Sequence, residues 1–488
     1  MASALSTLTA LIRQGLPAPG ETGFDDRVRS ATEAVLRERY YSTSKWQARI
    51  ALTAKPDFTP FAGLIHPDEP SSGVYGGFSL IWFPSKSDEG GDRSLLTFVC
   101  GTRGLAPDEE VLTRPGHARL LQALARRIGN EAWAKRDPAN ISSPLPIALR
   151  QRLARHKQAL ERYGNFLSFV VELPVNDAAA ENVVRDWLDF YAMERGWTPL
   201  AAARDQVGSF RADLLDRVFP AVTQQDVADL LERRRFVVLE GPPGTGKTRL
   251  AHEILKHQFK GHGTVVQFHP AVTYENFIAG IRPSLNEREL GFEIAPGWLI
   301  QAIDASQGGP FLLVIDEVNR ADLGKVLGEA IALFEPREIA AGEARTVALP
   351  YPLPDGRTVI AVPKNLYVLG TMNSADRSIA ILDLAVRRRF AFVDIWPDGR
   401  VVEEHSTPAG LEAFRLLQQV FLHYAPAGLL TLLPGHSYFM AKDDDELKAR
   451  LRYEVAPLLR EYLLDHRLGE CEREIEAYLD TIAVESDG

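Results

Sequence analysis

Eight consecutive residues have the G-x-x-x-x-G-K-[ST] spacing of a phosphate-binding loop. They are Gly241, Pro242, Pro243, Gly244, Thr245, Gly246, Lys247 and Thr248. Glycines allow successive backbone N–H groups to turn towards phosphate oxygens, and the N-terminus of a following helix favours negative charge. We therefore expect Lys247 to reach the β- and γ-phosphates of a nucleotide and the Thr248 hydroxyl to bind Mg²⁺. Arg249, the next residue, is grouped with the nucleotide-binding residues.

Two adjacent carboxylates follow an apolar run further along the chain. Residues 311–315 are Phe-Leu-Leu-Val-Ile, and Asp316 and Glu317 come directly after them. On its own, such a run is usually a strand that enters a solvated turn. Together with a phosphate-binding loop, it predicts that Asp316 organises the Mg²⁺ shell and that Glu317 activates the attacking water as general base.

A third run, residues 366–372, is mostly apolar and is followed directly by a polar residue, Asn373. Ligands of open α/β sheets bind outside the carboxyl ends of the strands. We therefore expect Asn373 to orient a water molecule between Glu317 and the γ-phosphate.

Three consecutive arginines follow a short predicted helix. They are Arg387, Arg388 and Arg389. A guanidinium that points at the transferred phosphoryl group stabilises the charge that develops on it. The alternative interpretation is a solvated basic helix end. We include the three arginines among the candidate catalytic residues.

These motifs lie in a region where predicted strands and helices alternate. From Phe236 to about residue 395 the alternation is typical of an α/β fold, a parallel sheet covered by helices on both faces. The first 200 residues combine helical spacing with aromatic and β-branched runs at 78–83 and 95–99, which predicts an α+β domain. The last stretch of about 90 residues has mostly helical spacing. The predicted domains are 1–200, 205–395 and 396–488.

Composition and charge exclude several classes of protein. With 45% hydrophobic and 25% charged residues among 488, the chain is neither disordered nor fibrous. No run approaches the roughly 18 apolar residues of a membrane span, so we predict no membrane contact. Two cysteines, Cys100 and Cys471, cannot form a disulfide framework, so we predict a cytoplasmic protein. Residues 1–200 carry a net charge of +1 and residues 201–488 carry −11. The chain as a whole is therefore not an electrostatic binder of nucleic acid.

At its motifs the chain resembles an AAA+ NTPase, and more narrowly the McrB-type GTPases of methylation-dependent restriction systems, within the MoxR- and dynein-related clade. The resemblance covers about residues 205–470. It implies an AAA+ P-loop domain with a parallel sheet and a C-terminal helical lid. The matching segments are Val266–His269, Tyr274–Ile278, Gly280–Pro283, Asp316–Ala321, Met372–Ser378, Gly435–Phe439 and Pro457–Tyr462.

The resemblance also implies how such a motor is organised. Similar proteins form rings, commonly hexamers, with each nucleotide at a subunit interface, so an arginine from the group at 387–389 would act on the neighbour's nucleotide. The M-N-x-x-D-R-S motif of the family would bring Asp376 and Arg377 near the nucleotide. The resemblance to the McrB type implies GTP as the nucleotide, whereas related AAA+ proteins use ATP. The residue spacing does not distinguish GTP from ATP.

McrB-type motors recruit a McrC-like nuclease subunit and act on DNA. This sequence shows no nuclease motif of its own, which supports a two-component system. The first 200 residues depart from the best-known McrB; we expect them to contact DNA, with protein sensing and a structural role as alternatives. Six aromatic residues there suit a pocket for a flipped base as well as they suit a core: Tyr40, Tyr41, Trp46, Tyr75, Trp82 and Phe83.

Two other functions fit parts of the pattern. A MoxR-like AAA+ chaperone that remodels a protein complex would carry the same motor residues. A non-catalytic nucleotide switch is disfavoured, because Lys247, Asp316 and Glu317 are all present.

Overall fold

The computed structural model of the chain describes residues 3–41, 45–53, 58–85, 93–286, 289–376 and 384–487. The chain divides into two compact units. The first consists of Met1–Pro220 with Leu422–Pro426, and the second of Ala221–Phe421 with Ala427–Gly488. The predicted boundaries between three domains stay predictions.

The first unit is built on an antiparallel sheet. Its strands are β1 (Gln47–Ala51), β2 (Phe61–Ile65), β3 (Phe78–Phe83), β4 (Leu95–Cys100), β5 (Trp133–Ala134) and β6 (Leu167–Glu172). Their order across the sheet is β1-β2-β3-β4-β6-β5. All residues of β3, β4 and β6 are buried, because these strands lie in the middle of the sheet and both of their faces are covered.

Helices accompany this sheet, so the first unit has the predicted α+β architecture. They are α1 (Ala4–Gln14), α2 (Phe24–Arg39), α3 (Glu109–Thr113), α4 (Pro115–Ile128), α5 (Ile147–Arg152), α6 (Lys157–Tyr163), α7 (Asp177–Glu194) and α8 (Ala201–Val218). Four of the six aromatic side chains considered for a base-stacking pocket are buried in the core: Tyr40, Tyr75, Trp82 and Phe83. Core packing therefore accounts for most of that group.

The second unit contains the predicted parallel sheet. Its strands are β7 (Phe236–Gly241), β8 (Gly263–Gln267), β9 (Ala279–Asn286), β10 (Glu289–Pro296), β11 (Phe311–Asp316), β12 (Thr346–Ala348), β13 (Val359–Ala361), β14 (Leu366–Asn373) and β15 (Ala391–Asp394). Five of these form the parallel sheet in the order β15-β7-β14-β11-β8. The other four form the antiparallel pairs β9–β10 and β12–β13.

The parallel sheet is apolar on both faces, as its continuous hydrophobic runs predict. Alternate residues along a strand point to opposite faces. Accordingly, Val238 and Leu313 belong to one buried cluster, whereas Val237 and Leu312 belong to another. The helices of this unit are α9 (Gln224–Arg234), α10 (Lys247–His257), α11 (Tyr274–Phe277), α12 (Trp298–Ala305), α13 (Leu323–Leu327), α14 (Pro336–Ala341), α15 (Leu384–Arg389), α16 (Gly399–His405), α17 (Pro408–Tyr424), α18 (Asp444–Arg450), α19 (Ala456–Leu464) and α20 (Glu472–Asp487).

The central strands of this sheet bring the predicted motifs together. The strands β7, β14 and β11 are neighbours and run parallel, so their carboxyl ends meet at one edge. Gly241, Asn373 and Asp316 are the last residues of these three strands. The phosphate-binding loop therefore starts directly beside Asn373, and Asp316 lies one strand further along the same edge.

None of the helices in the described ranges is both long enough and apolar enough to cross a bilayer. The cytoplasmic location stays a prediction.

Candidate active site

The phosphate-binding loop connects β7 to α10, which begins at Lys247. Gly244 and Gly246 have φ angles of 79° and 77°. A side chain would be strained in this left-handed region, so glycine is needed at both positions. The loop thus has the strand–loop–helix context that phosphate binding requires.

Lys247 lies under the loop, with its side chain only 6% exposed. Its Nζ atom donates hydrogen bonds to the carbonyl oxygens of Gly241, at 3.0 Å, and Pro242, at 2.7 Å. Burial lowers the pKa of Lys247 to about 8, although the nearby carboxylates Glu317, Asp316 and Asp376 act in the opposite direction. The ammonium group is therefore held in place by main-chain oxygens but is easier to deprotonate than an exposed lysine.

We expect nucleotide binding to be accompanied by proton uptake at pH about 9, because phosphates beside Lys247 raise a pKa of about 8 towards its ordinary value. At pH about 7 the amine is already protonated, so this uptake disappears. Calorimetric titration with ADP in buffers of different ionisation enthalpy measures it. A Lys256→Arg control on the exposed side of α10 should keep the uptake. Equal uptake at both pH values would contradict the assignment to Lys247.

Asp316 is bonded by two hydroxyl groups. Thr248 Oγ1 donates to Asp316 Oδ1 at 2.8 Å, and Thr371 Oγ1 donates to the same oxygen. Thr371 reaches it because β11 and β14 are paired with Ile315 opposite Gly370. A carboxylate and a hydroxyl oxygen in contact fit the oxygen-ligand preference of Mg²⁺. The residues predicted to hold the metal are therefore adjacent.

Glu317 follows Asp316 in a strained backbone conformation, with φ 55° and ψ 49°. Non-glycine residues in this region cost on the order of 1–3 kcal/mol and cluster at functional sites. The Nδ2 atom of Asn373 donates to Glu317 Oε1 at 2.7 Å, and Arg320 Nε lies 3.5 Å from Oε2. Burial raises the pKa of Glu317, which makes the carboxylate a stronger base.

The sequence interpretation overlooked two residues that hold this arrangement. The Glu317 backbone N–H donates to Thr371 Oγ1 at 3.2 Å, and Asn319 Nδ2 donates to the main-chain oxygen of Asn373 at 3.1 Å. Thr371 lies two residues before Asn373 on β14, and that spacing puts both side chains on the same face. This periodicity could have identified Thr371, whereas Asn319 was quoted only as part of a motif.

Two further nucleotide-binding candidates have ion-pair partners of their own. Asp376 Oδ2 lies 3.6 Å from Arg320 Nη2, so it joins the group around Glu317. Arg249 Nε pairs instead with Glu253 on its own helix at 2.8 Å, and its side chain is 72% exposed. Arg377 lies outside the described residues.

The three candidate arginines differ in their surroundings. Arg389 is buried, and both Arg388 and Arg389 pair with Glu335, at 3.0 and 3.1 Å. Arg387 is exposed, and its guanidinium lies 5.1 Å from the ring centre of Phe392. Arg387 and Arg388 are therefore accessible at the surface, whereas Arg389 is an internal ion-pair partner.

A segment of the C-terminal region packs directly against the phosphate-binding loop. Gly435 N donates to Pro243 O at 3.0 Å, and Ser437 N donates to Gly244 O at 3.1 Å. Between them, His436 is largely buried, and burial lowers its pKa. The sequence marked this segment only through its family resemblance, because nothing local in it indicates a contact across almost 200 residues.

Two family models match this unit of the chain. Residues 236–390 match the AAA domain of the dynein-related subfamily, and residues 434–469 match the alpha-helical lid domain of McrB.

Two curated proteins are similar to this chain in sequence. The type IV methyl-directed restriction enzyme EcoKMcrB subunit of Escherichia coli (strain K12) is 33% identical over 278 residues, which are 52% of this chain and 59% of that protein. The type II restriction enzyme BsuMI component YdiS of Bacillus subtilis (strain 168) is 25% identical over 196 residues, 32% of this chain and 55% of that protein. The chain thus spans just over half the length of these relatives.

Among solved structures, the RuvB Holliday junction branch migration motor of Thermotoga maritima is 14% identical, over 53% of this chain and 66% of that one, with a TM-score of 0.23. The family models and the E. coli relative agree: residues 236–390 form an AAA domain, residues 434–469 match the McrB lid, and over about half of its length the chain is similar to the McrB-type AAA+ proteins.

Proposed function

We propose that this protein is an NTP-hydrolysing motor that assembles as a ring, commonly a hexamer in similar proteins, and acts on DNA for a McrC-like nuclease subunit in anti-phage restriction. The observation that carries hydrolysis is the 2.7 Å hydrogen bond from Asn373 to Glu317, beside an Asp316 carboxylate that is already bonded to Thr248. A carboxylate held in this way is oriented to accept a proton from water. The names of the two restriction-enzyme relatives support the restriction role.

The chain's own residues would divide the work as follows. Lys247 and the loop N–H groups would bind the phosphates, and Thr248 and Asp316 would hold Mg²⁺, which would supply positive charge to the phosphates. Glu317 accepts the proton of the attacking water, and the Asn373 amide keeps its carboxylate in position. General-base assistance of this kind contributes about 10²–10⁴-fold to rate.

GTP is the favoured nucleotide because the chain resembles the McrB type, and ATP is the alternative. Phosphate release is measured with GTP and with ATP, each with and without methylated DNA. The measurement tests both the preference for one nucleotide and the role of DNA. If DNA neither binds nor changes turnover, remodelling of a protein complex becomes the better interpretation. Cleavage of DNA only when the partner nuclease is added would support the two-component system.

We expect the double variant Arg387→Ala/Arg388→Ala to bind nucleotide normally but to lose about 10³-fold or more in turnover, since an arginine acting from a neighbour supplies an effect of that size. Mixing it with a Glu317→Gln variant should restore part of the activity. In a head-to-tail ring, some interfaces would then combine an intact Glu317 with intact arginines from the neighbour.

Arg389→Ala serves as the comparison, because Arg389 is buried against Glu335. It should lower the melting temperature without being rescued by mixing. Absence of rescue for the Arg387/Arg388 variant, with rings intact, would contradict action on a neighbour's nucleotide.

A further inference from the structure

One stretch of the first unit is far more basic than the average of the chain. Residues 114–164 contain eleven Lys or Arg and three Asp or Glu, a net charge of +8, in a protein of net charge −10. The balance of +1 over residues 1–200 conceals it. A basic stripe of this kind is the electrostatic feature expected of a nucleic-acid contact.

The stretch also forms an open groove of about 960 Å³. Its walls come from the end of α4, from β5 at the edge of the antiparallel sheet and from the loop that follows β5. Three cationic side chains line it, Arg126, Lys135 and Arg136, against one acidic side chain among the described lining residues, Asp137. The groove thus has a net positive lining.

The cations of the groove are not neutralised within the protein. Arg126 and Arg136 are exposed, and neither has a carboxylate partner in the described part of the chain; Arg126 Nη2 donates to the main-chain oxygen of Arg217 at 3.0 Å. By contrast, the neighbouring Arg127 pairs with Asp186 at 2.7 Å. The charges that face the groove are therefore available to an external anion.

The groove is built on ordered contacts. Lys135 is 6% exposed, and its Nζ atom donates to the main-chain oxygens of Asn140 and Asn165, which fixes the loop after β5. At the rim, Arg152 donates to Asn130 O at 2.9 Å. Trp133 is half-buried and lines the groove, so part of its ring can be reached from outside. No rearrangement is needed to expose Arg126, Arg136 or part of this ring.

We propose that this groove binds the sugar–phosphate backbone of a nucleic acid. Unpaired cations that line one groove fit the phosphates of a nucleic-acid backbone, and a partly accessible tryptophan in the same lining suits stacking of an unpaired base. The inference rests on the proposed function, in which DNA is what the motor acts on, and it goes further by assigning the contact to named residues of the first unit. Duplex and single-stranded DNA share the phosphate chemistry, and the test separates them.

The test compares two double variants of the full chain. Arg126→Glu/Arg136→Glu reverses two charges in the groove, and Arg204→Glu/Arg211→Glu reverses two exposed charges on α8, outside the groove lining. Both change the net charge by the same amount. Binding of a fluorescent duplex and of the matching single strand is measured over a range of salt concentrations, and nucleotide turnover without DNA reports on folding.

We expect the groove variant to lose at least about 10-fold in affinity at physiological salt, and the α8 variant to lose much less. The slope of log affinity against log salt should fall by about 1.8 if the groove holds a duplex and by about 1.4 if it holds a single strand, for two lost phosphate contacts. The strand type with the larger loss is the one that the groove binds.

Two results overturn the inference, and they can be told apart. If the wild-type chain binds DNA and the groove variant loses no more affinity than the α8 variant, the groove assignment is wrong while the proposed function stands. If the wild-type chain binds neither duplex nor single-stranded DNA, both the groove assignment and the DNA part of the proposed function fail.

Discussion

Replacing Glu317 by Gln is expected to lower nucleotide turnover by about 10²–10⁴-fold while leaving nucleotide binding intact. The amide has the same shape and keeps an oxygen that can accept the 2.7 Å hydrogen bond from Asn373, but it cannot accept a proton from water. Lys247, Thr248 and Asp316, which are proposed to hold the phosphates and Mg²⁺, are untouched.

Single-turnover phosphate release and binding of a fluorescent nucleotide measure the two effects separately. Glu253→Gln is a matched control, because Glu253 lies on α10 and its partly exposed side chain pairs with Arg249. It should keep wild-type turnover. A Glu317→Gln variant that hydrolyses at the wild-type rate would show that another group is the base.

Replacing Gly435 by Ala is expected to weaken nucleotide binding by at least about 10-fold and to cost about 1–3 kcal/mol of stability, as other overpacked contacts do. A β-carbon at Gly435 would lie 2.1 Å from the carbonyl carbon of Gly244 and 2.2 Å from its oxygen. These are backbone atoms of the phosphate-binding loop, so the loop or the C-terminal segment has to move. Either movement disrupts the 3.0 Å hydrogen bond from Gly435 to Pro243.

Gly428→Ala is the control for this prediction, because nothing lies within 4 Å of a β-carbon built at Gly428. Thermal unfolding and nucleotide titration of both variants against wild type separate a general effect of alanine from a specific clash. If Gly435→Ala binds nucleotide as tightly as wild type, contact between the C-terminal segment and the loop does not shape the site.

Local spacing was sufficient to predict the parts of the site whose chemistry depends on neighbours in the chain. A phosphate-binding loop works through consecutive backbone N–H groups, so Gly241 to Thr248 can be identified without a fold. Strand ends could also be predicted, because parallel strands present their carboxyl ends at one edge. That argument correctly brought Asp316 and Asn373 to one edge of the sheet.

Features that depend on side-chain direction could not be predicted in this way. The three arginines are identical in sequence terms, yet Arg389 is buried against Glu335, 54 residues away, while Arg387 is exposed. The groove in the first unit was missed for a related reason. Charge averaged over 200 residues hides +8 within 51 of them, and only the fold shows which of those cations lack a carboxylate partner.

The sequence by itself therefore determined the α/β class, the phosphate-binding loop and the pair of carboxylates, because each depends on contiguous residues or on strand periodicity. Only the tertiary structure decided that Asn373 bonds Glu317 across 56 residues, that Thr371 bonds Asp316 across 55, and that Gly435 packs on Gly244. These contacts arise where strands and loops distant in the chain meet. Their partners are chosen by the register of the sheet and by packing, which no local spacing specifies.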